Sequence, residues 1–456
     1  MSALCPLDYR YGRDPMKRIF CEESRLQFQM DAEAALARAH AELGTIPKKD
    51  ADEITRISDL RFVTAERVRE VEKETRHDLM AMVRVMTEQC RGDAGKYVHL
   101  GATSNDIVDT ATALQIRAAL RIIAEDTDIF LTTLAKLAER ERLTLEIGRT
   151  HAQFAIPITF GFKIAGYIAE MLRHRERIGQ ISPRACAGKM AGAVGTGAAL
   201  GKNFFKIQEL VMKDLGINYE EAATQVVGRD RYTELICLLA TIATSLERYA
   251  TEIRNLQRSE ISEAAEAFDA AKQVGSSTMA QKKNPITSEN VCGLARVLRG
   301  FVTPAFESQV LWHERDLSNS SAERFVLPHV FTLLDDMFAK MDDVFRNLSL
   351  DRPRMIRNIG SANGLIMAEP VMMRLVELGM GRQDAHEIVR EASMTASSGN
   401  EQLLDVLLRT EGLRNVISEQ ELRDVMEPKN YLGGAPEIVD NMVSAVKKAL
   451  KKKVTI

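Results

Sequence analysis

Residues 109–146 and 231–269 each run without a single glycine or proline. Helices of that length exceed the usual globular helix of about three to four turns, and such rods persist only when their apolar stripes lie against one another. Upstream, residues 25–43 (RLQFQMDAEAALARAHAEL) place Leu26, Met30, Ala34, Ala37 and Ala41 along one stripe, the spacing of a helix that faces a core. Hydrophobic residues form 45% of the chain, and only 5% of residues are aromatic, so the apolar content rests on Ala, Leu, Met and Ile. With abundant Glu, Arg and Lys, that mixture favours helix over sheet. No segment shows sustained strand alternation with hairpin turns. The expected fold class is therefore all-α, a bundle of long helices.

Breaks in the helical pattern fall at Gly101, Gly148–Pro157, Ile181–Gly201, Gly228, Gly275–Pro285 and Asp351–Gly364. They divide the 456 residues into an N-terminal helical domain (1–103), a central long-helix bundle (104–358) and a C-terminal helical domain (359–456). Polar and histidine-bearing motifs collect at the breaks, where rigid helices can hold them and loops can present them.

Several function classes are disfavoured. A formal net charge of −3 offers no field for nucleic acid or an anionic membrane. The start, MSALCPLDYRYGRDP, lacks the basic and apolar segments of a secretory signal, and the apolar stretch Leu235–Leu246 is too short to span a bilayer. Six cysteines are scattered without a CxxC pair, which reads as reduced thiols and a cytoplasmic chain. AVGTGAALGK (193–202) fails as a Walker A loop, because Gly197 and Gly201 enclose three residues and Lys202 precedes Asn203. It also lacks the βαβ setting of a dinucleotide fingerprint. None of the eight histidines stands in a zinc-ligand spacing, so neither a metal nor another cofactor is expected. The terminal KKALKKK reads as a solvated helix end that suits the helix dipole.

Four segments carry side chains that neither solvent nor a core demands: TRHD (75–78), HLGATSND (99–106), GRTHAQ (148–153) and GSSTMAQKKNP (275–285). Each alone has an ordinary reading, such as His77 or Thr103–Ser104 capping a helix, or Lys282–Lys283 as a solvated loop. Together they supply a titratable imidazole in His151, a hydroxyl-rich loop, Lys282 and Asn284 for carboxylates, and a hydroxyl pair at a helix N-terminus suited to an anion.

The loop GSSTMAQKKNP closely resembles the GSSxMPxKxNP signature of the aspartase/fumarase superfamily, while HLGATSNDIVDTA and GRTHAQFAIPITFG resemble its other two motifs. Within that superfamily, WHERDLSNSSAER (312–324), NPITSEN (284–290), TRHDLMA and the early Arg10–Tyr11 pair are similar to the adenylosuccinate lyase family. Ala280 departs from the pattern, standing where the signature has Pro.

The resemblance implies elimination of fumarate from adenylosuccinate, giving AMP, and from the succinylated imidazole carboxamide ribotide, giving its carboxamide. It implies Ser276 as general base and His151 as the acid that protonates the departing nitrogen, with Glu289 orienting His151. Lys282, Asn284, Thr103, Ser104 and Thr150 would hold the succinyl carboxylates, and Ser320 and Arg324 the phosphate. Arg10, Tyr11, Arg76, His77, Asp78, Gln225 and Arg315 would frame the nucleotide, with His77 also counted among the catalytic groups and His99 supporting the pocket. It further implies a homotetramer whose packed bundles share active sites between subunits. The rivals are argininosuccinate lyase or a carboxymuconate cycloisomerase, whose substrates carry no phosphate, and a catalytically silent helical scaffold, which has no use for Ser276, His151 and Lys282.

Overall fold

The computed structural model describes residues 4–267, 279 and 281–456. The N-terminal part is built on α1 (Glu22–Glu42) and α2 (Asp78–Gln89). The bundle comprises α3 (Ser104–Arg140), α4 (Phe160–Ala185), α5 (Asp230–Leu256), α6 (Ile286–Gly300) and α7 (Ser318–Arg346). The last long helix, α8, covers Ala435–Ala449.

Along α3, Ile116, Leu120, Ile123, Phe130, Leu134 and Leu137 are buried at alternating steps of three, four or seven residues, which keeps one stripe on the bundle axis. Phe130 meets Phe338 and Phe345 edge-on and Tyr249 at a tilt, joining α3, α7 and α5 through aromatic contacts. Each fully buried side chain of this size contributes about 1.5–3 kcal/mol over its exposed state.

Polar contacts set the helix directions. Arg13 bridges Asp126 of α3 and Asp335 of α7, and Thr133 bonds Asp342 one to two turns further on, so α3 and α7 run parallel. Arg229, just before α5, binds Asp109 and Glu323 near the starts of α3 and α7, so α5 runs with them. Helix α4 runs against α5, as the His174–Ser245 and Lys163–Glu252 bonds require. Three helices therefore begin at one end of the bundle. At about 1.5 Å per residue, the 37 residues of α3 carry the chain roughly 55 Å from that end to the other.

The long runs end sooner than glycine and proline content predicts. Helix α5 stops at Leu256, and α3 stops at Arg140, where the buried Glu141 carboxylate takes bonds from Thr144 and Arg352. Residues 145–159 then form a hairpin, which corrects the expectation that no strand pair exists. Strand β1 (Leu145–Thr150) pairs antiparallel with β2 (Gln153–Thr159). Its turn is His151–Ala152, both with positive φ (53° and 61°), the geometry whose twist matches paired strands. A register shift between Ile147 and Arg149 accommodates Gly148, where a Cβ would sit 2.7 Å from the Ile156 carbonyl oxygen.

Residues 371–422 enclose a small core of their own, whereas Val439, Val443 and Val446 of α8 return to the bundle core against α3 and α4. Ile207, Val211 and Met212 pack instead with the N-terminal core around Met30 and Met82. No helix among the described residues is long and apolar enough to cross a membrane.

Candidate functional site

A cleft of about 740 Å³ opens where α3, α5 and α7 begin. Its walls carry Arg76, His77 and Asp78 from the start of α2, Thr103 and Ser104 from the start of α3, and Gln225 from the segment before α5. Arg315, Ser320 and Arg324 complete it from the segment leading into α7. Nine of the residues singled out in the sequence thus share one cavity, although they come from four separate parts of the chain.

The local reasons are visible in each segment. Arg76 takes a left-handed conformation (φ 51°) that ends one helix and turns the chain into α2. His77 caps α2: its Nδ1 accepts from the Met80 N–H at 3.4 Å, which leaves the other ring nitrogen protonated in the neutral ring. That Nε2–H donates to Ser104 Oγ at 3.3 Å, so the serine hydroxyl proton is free to point elsewhere. Thr103 is the N-cap of α3, and its N–H donates to Asp106 Oδ2 at 2.8 Å. Asp106 is fully buried and also takes the Lys189 ammonium at 2.5 Å and the Ala191 N–H at 2.8 Å. This pair fastens the 187–192 segment to the helix start that presents Thr103 and Ser104.

Opposite, Arg324 donates to Asp78 at 2.7 Å and remains mostly exposed. Burial raises the Asp78 carboxyl, but the Leu79 N–H and the Arg324 guanidinium outweigh it and hold the group below its usual range. Arg315 donates to Gln225 at 3.1 Å, and burial lowers its pKa. Between them, buried Arg229 is pinned to Asp109 (2.8 and 2.9 Å) and Glu323 (2.8 Å). Sequence reasoning missed Arg229, Glu323, Asn105 and Asn319, which also line the cleft. Asn105, Asn319 and Glu323 stand within quoted motifs, whereas Arg229 is marked only by the break at Gly228.

The remaining candidates lie elsewhere. His99 is not among the residues lining the cleft; its Nδ1 lies 2.6 Å from Glu33, which overcomes the effect of burial and raises its pKa. Tyr11 lies beside Arg10 and accepts from Asn290 of α6 at 3.4 Å, with Lys340 of α7 4.8 Å above its ring. Sixteen residues separate Arg324 from Lys340 along α7, about 24 Å of helix. Thr150 and the exposed His151 occupy the hairpin tip, beyond the far end of α3. Lys282 and Glu289 are exposed and Asn284 is half-buried at the entry to α6. No hydrogen bond joins Glu289 to His151 among the described residues. Ser276 and Ala280 lie outside the described residues.

A larger groove of about 1370 Å³ runs beside the hairpin but contains none of the residues singled out. Three of its cations are already matched by carboxylates: Arg149 by Glu263, Lys163 by Glu252 and Arg248 by Glu170. The smaller cleft, lined by hydroxyls, an imidazole and the guanidiniums of Arg76, Arg315 and Arg324, is the better anion receptor. Among the described residues, no three His, Cys, Asp or Glu side chains are grouped to hold a metal ion.

Comparison with known proteins gives this geometry its setting. Residues 8–300 match the lyase family model, and residues 364–442 match that of the adenylosuccinate lyase C-terminus. The adenylosuccinate lyase of Pyrococcus abyssi is 49% identical over 97% of this chain and 98% of its own. Among solved structures, a fumarate lyase from Mesorhizobium sp. BNC1 superposes with a TM-score of 0.87 at 32% identity, covering 95% of this chain and 98% of that one. The 3-carboxy-cis,cis-muconate lactonizing enzyme of Pseudomonas putida gives the same score at 29% identity, over 97% and 99%. Shared architecture thus extends across different chemistries, but the higher identity and the C-terminal match single out one branch: the chain belongs to the adenylosuccinate lyase family.

Proposed function

We propose that the cleft at the starts of α3, α5 and α7 is the nucleotide-binding part of an active site that eliminates fumarate from adenylosuccinate and from succinylaminoimidazole carboxamide ribotide. The observation that carries this reading is the convergence of Arg76, His77, Asp78, Thr103, Ser104, Gln225, Arg315, Ser320 and Arg324 on one cavity. The enzyme is a carbon–nitrogen lyase of purine biosynthesis, and its relatives bear the same name in archaea and bacteria. Ser320 and Arg324, which both line the cleft, are assigned to the phosphate, a group that a muconate or argininosuccinate lacks.

The chemistry begins with a weakly acidic C–H beside a carboxylate. Ser276, by resemblance, removes that proton, and the charge spreads onto the carboxylate, where Lys282, Asn284 and the Thr103–Ser104 hydroxyls stabilise it. The C–N bond then breaks, its electron pair passes to nitrogen, and the His151 imidazolium supplies the proton that lets the purine leave. Thr150 and Glu289 are assigned to holding the substrate and orienting His151, Arg10 and Tyr11 to the nucleotide, and His99 to supporting the pocket.

One subunit is not enough. The cleft lies at one end of the bundle, His151 lies beyond the other, and about 55 Å of α3 separates them. Head-to-tail packing of bundles brings one subunit's hairpin to another's cleft, and we place these sites between subunits of a homotetramer. Phe306, Trp312, Leu317 and Phe325 are more than half exposed in the single chain and offer apolar surface for that packing. A cytoplasmic location belongs to the same proposal.

Mixing inactive variants tests it. His151→Ala and Ser276→Ala are unfolded together and refolded as mixed tetramers, and fumarate release is followed in the ultraviolet. If the two residues of a site come from different chains, equal random mixing restores about a quarter of the sites. Either variant refolded alone stays inactive, and no activity in verified mixed tetramers overturns the shared-site reading.

A further inference from the structure

We propose that Asn105 and Asn319 form a second recognition element in this cleft, one that reads the hydrogen-bonding edge of the base rather than the phosphate or the succinyl carboxylates. The inference rests on the cleft being the nucleotide site. Both residues line it, yet both are nearly inaccessible, Asn105 at 4% and Asn319 at 1%. Each leaves a buried polar atom without a partner: the Asn105 Nδ2 donor and the Asn319 Oδ1 acceptor. A buried amide group with no partner costs about 1–3 kcal/mol, so two of them in one cleft indicate a partner that arrives with a ligand.

Their placement is fixed by the network below them. Asn105 lies one helical turn before Asp109, and Asn319 one turn before Glu323. Asp109 and Glu323 are both clamped by Arg229, so the two amides stand on neighbouring parallel helices near the same level of the cleft. The Asn319 Nδ2 donates to Glu323 at 2.9 Å, which fixes the flip of the amide and leaves its oxygen as the free atom.

An acceptor beside a carboxylate repels phosphate and succinate alike, so Asn319 requires a donor, an N–H of the base or an O–H of the ribose, and ribose 5-phosphate separates the two. Asn105, as a donor, requires a lone pair. A heteroaromatic amine or carboxamide edge, with an N–H next to a ring nitrogen or carbonyl, meets both. On α7 the two functions occupy adjacent stripes: Ser320 and Arg324 for the anion, Asn319 and Glu323 for the base.

The test compares inhibition of fumarate release by AMP and by ribose 5-phosphate, in the wild-type assembly and in Asn105→Ala and Asn319→Leu. Loss of one neutral hydrogen bond to the base should weaken AMP by about tenfold in each variant while ribose 5-phosphate inhibits as before. Arg324→Ala should weaken both inhibitors together. Should Asn319→Leu fail to assemble, Asn105→Ala, whose amide nitrogen supports no other group, decides the matter. If the variants bind AMP as the wild type does, the two amides hold buried water and the proposal is wrong, even though the enzyme remains active. If the wild-type protein neither releases fumarate from adenylosuccinate nor is inhibited by AMP, the nucleotide reading of the cleft fails, and this inference with it.

Discussion

Glu146, on β1 beneath the His151 turn, is buried with both carboxylate oxygens lacking a hydrogen bond. Burial drives its carboxyl up, Lys163 at 3.3 Å pulls it back, and nearby Glu263 and Glu252 raise it again, leaving it pushed up to about 7. The folded protein therefore holds this proton more tightly than the unfolded chain, whose glutamate releases it near 4.5. Stability from this group is present below about pH 4.5 and is lost as pH climbs through about 7. At about 1.36 kcal/mol per pH unit, the loss across that window is roughly 3 kcal/mol per subunit. Glu146→Gln keeps the shape and removes the titration. For 456 residues the unfolding entropy is roughly 1 kcal/mol/K, so the melting-temperature difference, variant minus wild type, should rise by about 3 °C between pH 5 and pH 8.5. Differential scanning fluorimetry of the two proteins side by side reads this directly, because titrations elsewhere cancel in the difference. Parallel curves for the two proteins would show that Glu146 ionises normally and would refute the reasoning.

Removing Arg324 with Ala takes away a charge-assisted contact worth about 1.5–3 kcal/mol, so kcat/KM for adenylosuccinate should fall at least tenfold with the melting temperature little changed; an unchanged kcat/KM removes Arg324 from the phosphate site. Ser276→Ala should lower kcat by orders of magnitude with melting unaffected, and an inactive Ser277→Ala beside an active Ser276→Ala reverses the choice of base. Arg13→Met strands the buried carboxylates of Asp126 and Asp335; because Arg13 is itself 38% exposed, the cost should be near the low end for such pairs, about 3 kcal/mol, read as a lower urea midpoint. A variant as stable as wild type would refute the claim that Arg13 is needed to hold the buried carboxyls of Asp126 and Asp335 together.

Two kinds of information were local enough to be written in the sequence. One is the run of apolar residues at three- and four-residue steps in α1 and α3, which makes a helix with one buried face wherever it occurs. The other is cap chemistry: Thr103 with Asp106, and His77 before Asp78, mark helix starts through bonds that span three residues or fewer. Where the motifs lie was therefore legible, and so was the family resemblance they carry. The hairpin at 145–159 was not, because Gly148 and Pro157 read as breakers and the His151–Ala152 turn reaches positive φ without glycine or asparagine. Nor was the return of α8 to the bundle, since its valine stripe states only that it is buried, not against what. The meeting of Ser104 with Ser320 and Gln225, and the roughly 55 Å that separates them from His151, depend on the parallel course of α3, α5 and α7. That course is set by Arg13 and Arg229, whose partners lie about a hundred residues or more away in the chain, a separation that no local pattern encodes.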